Sequence, residues 1–205
     1  MTRTVQLVIA TVLALCAVAA QAQAMNPGDS QFYVGIGGGA TKMGGYCDAI
    51  NAKPGFAGTC DETTTGFKAF ADYKLNRYFG LEAGYSNFGE ASAAGTVGST
   101  AAVSRWKGYG IDLSAIGFLP LGEHFELFAK GGVAFWDIKA TLPTTTTGEA
   151  NDSGLSGVAG AGAIWWLFPQ VGLRVQYERF QKVGDDSVQV QTNVDFISIN
   201  VVGRF

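Results

Sequence analysis

Beyond its first two dozen residues, this chain of 205 residues has no apolar run approaching the roughly 18 residues that a spanning helix requires. Charge is scarce too: Asp, Glu, Lys and Arg make up 15% of the chain, with a net charge of −3 and no block of Lys and Arg. The electrostatic footprint of a nucleic-acid binder is therefore missing, and no nucleic-acid partner is expected. Histidine occurs once, as His124, and cysteine three times, at Cys16, Cys47 and Cys60. So thin a supply of ligands gives no metal site, and no cofactor is implied. What the chain does have is 29 glycines, 47% hydrophobic residues, and 4 Trp, 7 Tyr and 14 Phe. That much glycine disfavours helices, and low charge with many aromatics disfavours disorder.

The apolar N-terminal run follows a short positive start, Met1-Thr2-Arg3, and spans Val5 to Ala20. Ala20-Gln21-Ala22 and Ala22-Gln23-Ala24 both offer small-x-small cleavage sites, the pattern of a secretory signal peptide. Cleavage after Ala24 is favoured over cleavage after Ala22. A retained membrane anchor fits less well, because the run is short and no stop-transfer charges follow. A lipoprotein signal at Cys16 would need a small residue where Leu15 stands. The expected organisation is a signal peptide over residues 1–24 and one domain over residues 25–205. Losing Arg3 moves the net charge from −3 to −4.

Eight stretches alternate with period two: Gln31–Ala40, Thr65–Leu75, Phe79–Phe88, Arg105–Leu119, Phe125–Asp137, Leu155–Leu167, Gln170–Phe180 and Thr192–Phe205. Three connections are tight, at Asn76–Tyr78, Pro120–His124 and Phe168–Gln170. The others, residues 41–64, 89–104, 138–154 and 181–191, are long and rich in Gly, Ala, Thr, Ser and Asp. Alternating short and long connections between about ten-residue strands describe an all-β fold, an eight-stranded antiparallel transmembrane β-barrel. The short turns would face the periplasm and the long loops the cell exterior.

A soluble barrel also alternates, so the direction of the apolar face decides. One face carries Phe67, Leu81, Tyr85, Ile111, Leu113, Leu127, Val133, Leu173, Val175 and Tyr177. The opposite face carries ionised groups near mid-strand: Lys68, Asp72, Glu82, Asp112, Lys130, Arg174 and Glu178. Glycines thin that face at Gly35, Gly37, Gly39, Gly160 and Gly162, as a crowded interior needs. Aromatics gather towards strand ends, and this favours lipid outside. Tyr78, Phe79, Phe125, Trp165 and Phe205 would form one girdle, and Phe88, Trp106, Tyr109, Phe135 and Trp136 the other. Both the signal peptide and this belt place the barrel in the bacterial outer membrane, in contact with membrane lipids and lipopolysaccharide.

Three segments, GFKAFADYKLNRYFGLEAGY (Gly66–Tyr85), the DLSAIGFLPLG and AKGGVAFW runs within Ile111–Trp136, and LRVQY (Leu173–Tyr177), resemble the transmembrane domain of outer-membrane protein A. The final strand, ending Arg204-Phe205, is similar as well. The resemblance implies a barrel whose lumen is plugged by ion pairs, with Arg174 at the position of an interior arginine. The arginine's acidic partner on the preceding strand is not carried over, because Ile164 stands there; Glu82, Asp72 or Glu178 could substitute. The chain would also lack the peptidoglycan-binding domain that follows the barrel in full-length relatives.

The seven interior charges are the main candidate site, either a closed, charge-satisfied core or a polar gate. A symmetric hairpin would set Asp112 and Lys130 nearly opposite one another. In an oxidising compartment, Cys47 and Cys60 are expected to form a disulfide within one loop. In the last strand Ile197, Ile199, Val201, Gly203 and Phe205 share one face, and Ile197, Ile199, Val201 and Phe205 would carry the signal read by the barrel-assembly machinery. Gly203 departs from the larger residue favoured at that place. His124 lies beside Glu123 in a periplasmic turn with no serine nearby, so no catalytic residue is expected. Gly35-Ile36-Gly37-Gly38-Gly39 is strand-patterned and lacks the following helix of a phosphate loop. Thr144–Thr147 and the small-residue loop Ala91–Ser104 read as mobile segments able to meet a host or cell-surface ligand. The expected function is a monomeric structural or surface-interaction barrel, not an enzyme. A narrow, low-conductance diffusion channel is the alternative, and a lipid-modifying enzyme a distant third.

Overall fold

Period-two alternation becomes strand along most of the chain. The computed structural model describes residues 32–52, 54–142, 148–184 and 191–205. The expected signal peptide and the run Thr144–Thr147 lie outside the described residues. Strands β1 (Phe32–Gly44), β3 (Thr63–Lys74), β4 (Phe79–Val97), β5 (Thr100–Pro120), β6 (Phe125–Leu142), β7 (Gly148–Phe168), β8 (Val171–Val183) and β9 (Thr192–Arg204) pair with their neighbours in antiparallel register. The ring closes where β9 meets β1, from Tyr33↔Arg204 to Gly44↔Asn193. A further strand, β2 (Phe56–Asp61), lies outside this ring, and a short helix, α1 (Tyr46–Asn51), precedes it. Among the described residues no helix is long and apolar enough to cross a membrane; the crossing is made by strands.

The side chains divide by parity. On β6, Phe125, Leu127, Val133 and Phe135 point outward and are exposed on the isolated barrel, while Glu126, Phe128, Lys130, Ala134 and Trp136 are buried inside. The outward apolar row of β9 is Val201, Ile199 and Ile197, with Phe205 beyond its periplasmic end. Each row stops at polar residues: Asp195 on β9, Arg179 on β8, Asp137 on β6, Lys107 on β5 and Lys42 on β1. A belt bounded in this way is the surface that a bilayer covers.

The long connections differ from expectation. Residues 89–104 do not form a loose loop: β4 and β5 run on to Val97↔Thr100, joined by a two-residue turn at Gly98-Ser99. Gly98 takes φ 64°, which the first position of a primed turn demands. Similarly β6 and β7 continue to Leu142↔Gly148. The Ala, Gly, Ser and Thr of these extensions offer little apolar contrast, so their alternation does not show in the sequence. A bulge at Asn87/Glu90, with Gly89 at φ 77°, also reverses parity, leaving Ala91 and Ala93 inward. Residues 41–64 fold too: β2 pairs along β4 from Phe56↔Val97 to Asp61↔Ser92, and the Cys47–Cys60 disulfide ties α1 to it.

Candidate functional site

The barrel interior is filled in three layers. At the periplasmic end lies an apolar cluster of Phe70, Ile116, Phe118, Phe128, Ile164, Trp166 and Val202. At the exterior end Met43, Phe88, Trp106, Trp136, Ile138, Phe180 and Val194 pack beneath Tyr46 and Ile50 of α1. This corrects the second aromatic girdle. Tyr109 and Phe135 do face outward, but Phe88, Trp106 and Trp136 are 0%, 1% and 5% exposed inside the barrel. Their even positions, opposite in parity to Tyr85, Ile111 and Val133, require it. Burial pushes the Tyr46 phenol above its usual pKa, and its hydroxyl donates to Ser104 Oγ at 3.0 Å.

Between the apolar layers sit all seven predicted interior charges, contributed by β3, β4, β5, β6 and β8. Arg174 donates from Nη1 to Asp72 Oδ2 at 2.9 Å and from Nη2 to Glu82 Oε2 at 2.5 Å. Lys130 donates to Glu82 Oε1 at 2.6 Å and Asp112 Oδ2 at 2.9 Å, and also pairs with Glu178. Lys68 donates to Glu178 Oε1 at 2.8 Å and approaches Glu82 at 3.4 Å. These side chains are fully buried. Glu82 is the hub, reached by all three cations. The Arg174 guanidinium also lies between the rings of Phe70 and Phe128, at 4.1 and 3.9 Å.

The register explains why these charges need one another. Asp72 and Glu82 are direct cross-strand partners, a repulsive arrangement that Arg174 bridges. Its partners are thus Asp72 and Glu82, while Glu178 is reached through Gln176, which accepts from Arg174 Nε and donates to Glu178 Oε2. The expected opposition of Asp112 and Lys130 is corrected. Asp112 pairs with Ala134 and Lys130 with Ile116, and the long lysine side chain makes the contact obliquely. The interior is tight at Gly84, where an added Cβ would run into the Asp112 carboxylate.

A second ion pair was not anticipated. Lys74 donates to Glu126 Oε1 at 2.6 Å and to the Tyr33 hydroxyl at 2.9 Å, beneath the main network. Its signal was available, since Lys74 shares parity with Lys68 and Asp72, and Glu126 with Lys130. His124 lies exposed in its turn, where its backbone carbonyl accepts from the Trp166 amide at 2.8 Å. Ile197, Ile199, Val201 and Phe205 line the outer face of the closing seam, and the Phe205 amide donates to Phe32 O at 2.9 Å.

A closed strand ring, an apolar belt turned outward and charges turned inward define a β-barrel of the bacterial outer membrane. Residues 27–205 match the family model described as the OmpA-like transmembrane domain, and the chain belongs to that family. Outer membrane protein A of Escherichia fergusonii is 28% identical over 203 residues, covering 96% of this chain and 54% of that protein. The Shigella dysenteriae protein of the same name matches equally well by identity and coverage. The chain thus spans about half the length of these curated relatives. Among solved structures, Neisserial surface protein A superposes with a TM-score of 0.58 at 16% identity, covering 85% of this chain and 97% of its own. Ail, the attachment invasion locus protein of Yersinia pestis, gives 0.55 at 15% identity, covering 86% and 99%, in a complex with the heparin analogue sucrose octasulfate. These two likenesses show the shared fold.

Proposed function

We propose that this chain is a structural barrel of the outer membrane, plugged by its own lumen side chains, which presents extended hairpins for contact with other surfaces. The observation that carries the reading is the continuous filling of the interior, an ion-paired layer held between two apolar ones. A buried charge without a partner is costly, so a network this interlocked resists opening. The β2–β4–β5 and β6–β7 extensions provide the surface on which a host or cell-surface ligand would bind. Residues 1–24 act as the export signal, and the seam at β9 engages the assembly machinery. The role is non-enzymatic and the barrel works as a monomer.

Replacing the hairpin tip from Ala93 to Ser104 with a short turn tests the surface role. Insertion and heat-shifted gel migration are expected to persist while cell adhesion falls; unchanged adhesion would remove the hairpin from the account. The lipid profile of a strain lacking the protein is expected to match its parent, and an altered acylation pattern would favour the enzyme. A narrow diffusion channel is the second reading, favoured by Asp72 Oδ1, Asp112 Oδ1 and Asn200 Oδ1, buried polar atoms without hydrogen-bond partners among the described residues.

A further inference from the structure

Where the apolar belt ends on β4, β5 and β6, the outer wall carries a shallow cleft of about 310 Å³ lined by Asn87, Glu90, Lys107, Tyr109, Asp137 and Lys139. The pairing places Glu90, Lys107 and Lys139 in one row across three strands, with Asn87, Tyr109 and Asp137 in the row beneath. Below that come Tyr85, Ile111 and Phe135, part of the apolar belt. Lys107 and Lys139 are direct cross-strand partners, and like charges so placed repel unless something neutralises them. Glu90 cannot serve both lysines. It pairs with Lys107 at 2.5 Å and approaches Arg105 at 3.5 Å, while Lys139 makes no ion pair among the described residues.

We propose that this cleft binds a phosphate group on the headgroup of an outer-leaflet glycolipid. One phosphate supplies the counter-charge that the lysine pair lacks, and Asp137 at the lower lip keeps that anion on the lysine side. The height selects a lipid over a free ion. Tyr109 stacks on Tyr85 with ring centroids 5.9 Å apart, an aromatic pair at the membrane interface. Acyl chains of a lipid anchored there would lie along Ile111, Leu113, Val133 and Phe135. This inference rests on the outer-membrane reading and adds a binding site to it.

The test uses the folded barrel in detergent micelles, titrated with diphosphoryl lipid A, with the same lipid dephosphorylated, and with inorganic phosphate, and read by native mass spectrometry. Wild type is expected to retain diphosphoryl lipid A and to lose it on dephosphorylation. Lys107→Gln and Lys139→Gln should each weaken binding about fivefold, the worth of one lysine near an anionic headgroup. Lys139→Arg should retain binding, and Lys42→Gln on β1 should leave it unchanged. Equal binding by the double glutamine variant, indifference to dephosphorylation, or displacement of the lipid by millimolar inorganic phosphate would each overturn the proposal. Heat-shifted gel migration of every sample separates failure of this site from failure of the outer-membrane reading.

Discussion

Arg174 holds together two carboxylates that the register sets face to face, so its removal does more than delete a side chain. Asp72 would be left buried beside Glu82 without its ion-pair partner, while Glu82 would keep only Lys130 and Lys68. Breaking a buried pair on one side costs about 3–5 kcal/mol. Arg174→Ala is therefore expected to lower the urea midpoint of the barrel strongly, and a midpoint within error of wild type would contradict the bridging role. The two carboxylates are not equivalent. Glu82 meets Arg174, Lys130 and Lys68, whereas among the described residues Asp72 forms an ion pair with Arg174 alone and its Oδ1 has no hydrogen-bond partner. Glu82→Gln should destabilise clearly more than Asp72→Asn in the same unfolding experiment; the reverse order would show that the hub lies elsewhere. Residue parity made most of this site legible. Lys68, Asp72, Glu82, Asp112, Lys130, Arg174 and Glu178 share the inward face of their strands, as the sequence alternation implied. Parity also marked Lys74 and Glu126, and it placed Trp106 and Trp136 inside, where aromatic clustering alone had suggested a lipid girdle.

Elements add what parity cannot. The oblique reach from Lys130 to Asp112 depends on cross-strand register: Asp112 pairs with Ala134, four residues along β6 from Lys130. Extensions such as Ala91–Ser104 stayed hidden because Ala, Gly, Ser and Thr look alike on either face, and the bulge at Gly89 shifts the pattern midway. At the mouth, α1 is held by Tyr46 and Ile50 in the apolar layer and by the Cys47–Cys60 bond, whose ring is worth about 3 kcal/mol in a chain-entropy account. A Cys47→Ser, Cys60→Ser double variant should admit protease between Asn51 and Phe56 while the barrel still shows its heat shift. Protection equal to wild type would mean that packing alone holds the helix. At the closing seam, deleting Phe205 is expected to reduce outer-membrane insertion in cells much more than it alters loop-mediated contacts. Unchanged insertion would detach the assembly role from this residue.

The molecule as a whole uses one alternation for two purposes. Turned outward, apolar side chains meet lipid and end at a ring of charged residues. Turned inward, three cations and four carboxylates that no bilayer would tolerate are interlinked between two apolar plugs. Small barrels have just enough interior for side chains to fill it, and this one does so along its length. The central claim is therefore closure, and single-channel recording of the purified wild-type barrel in planar bilayers addresses it most directly. Closure predicts no large, stable conductance steps, and at most a slight rise in Arg174→Ala. Large stable steps from the wild-type protein would contradict it and establish the diffusion channel instead.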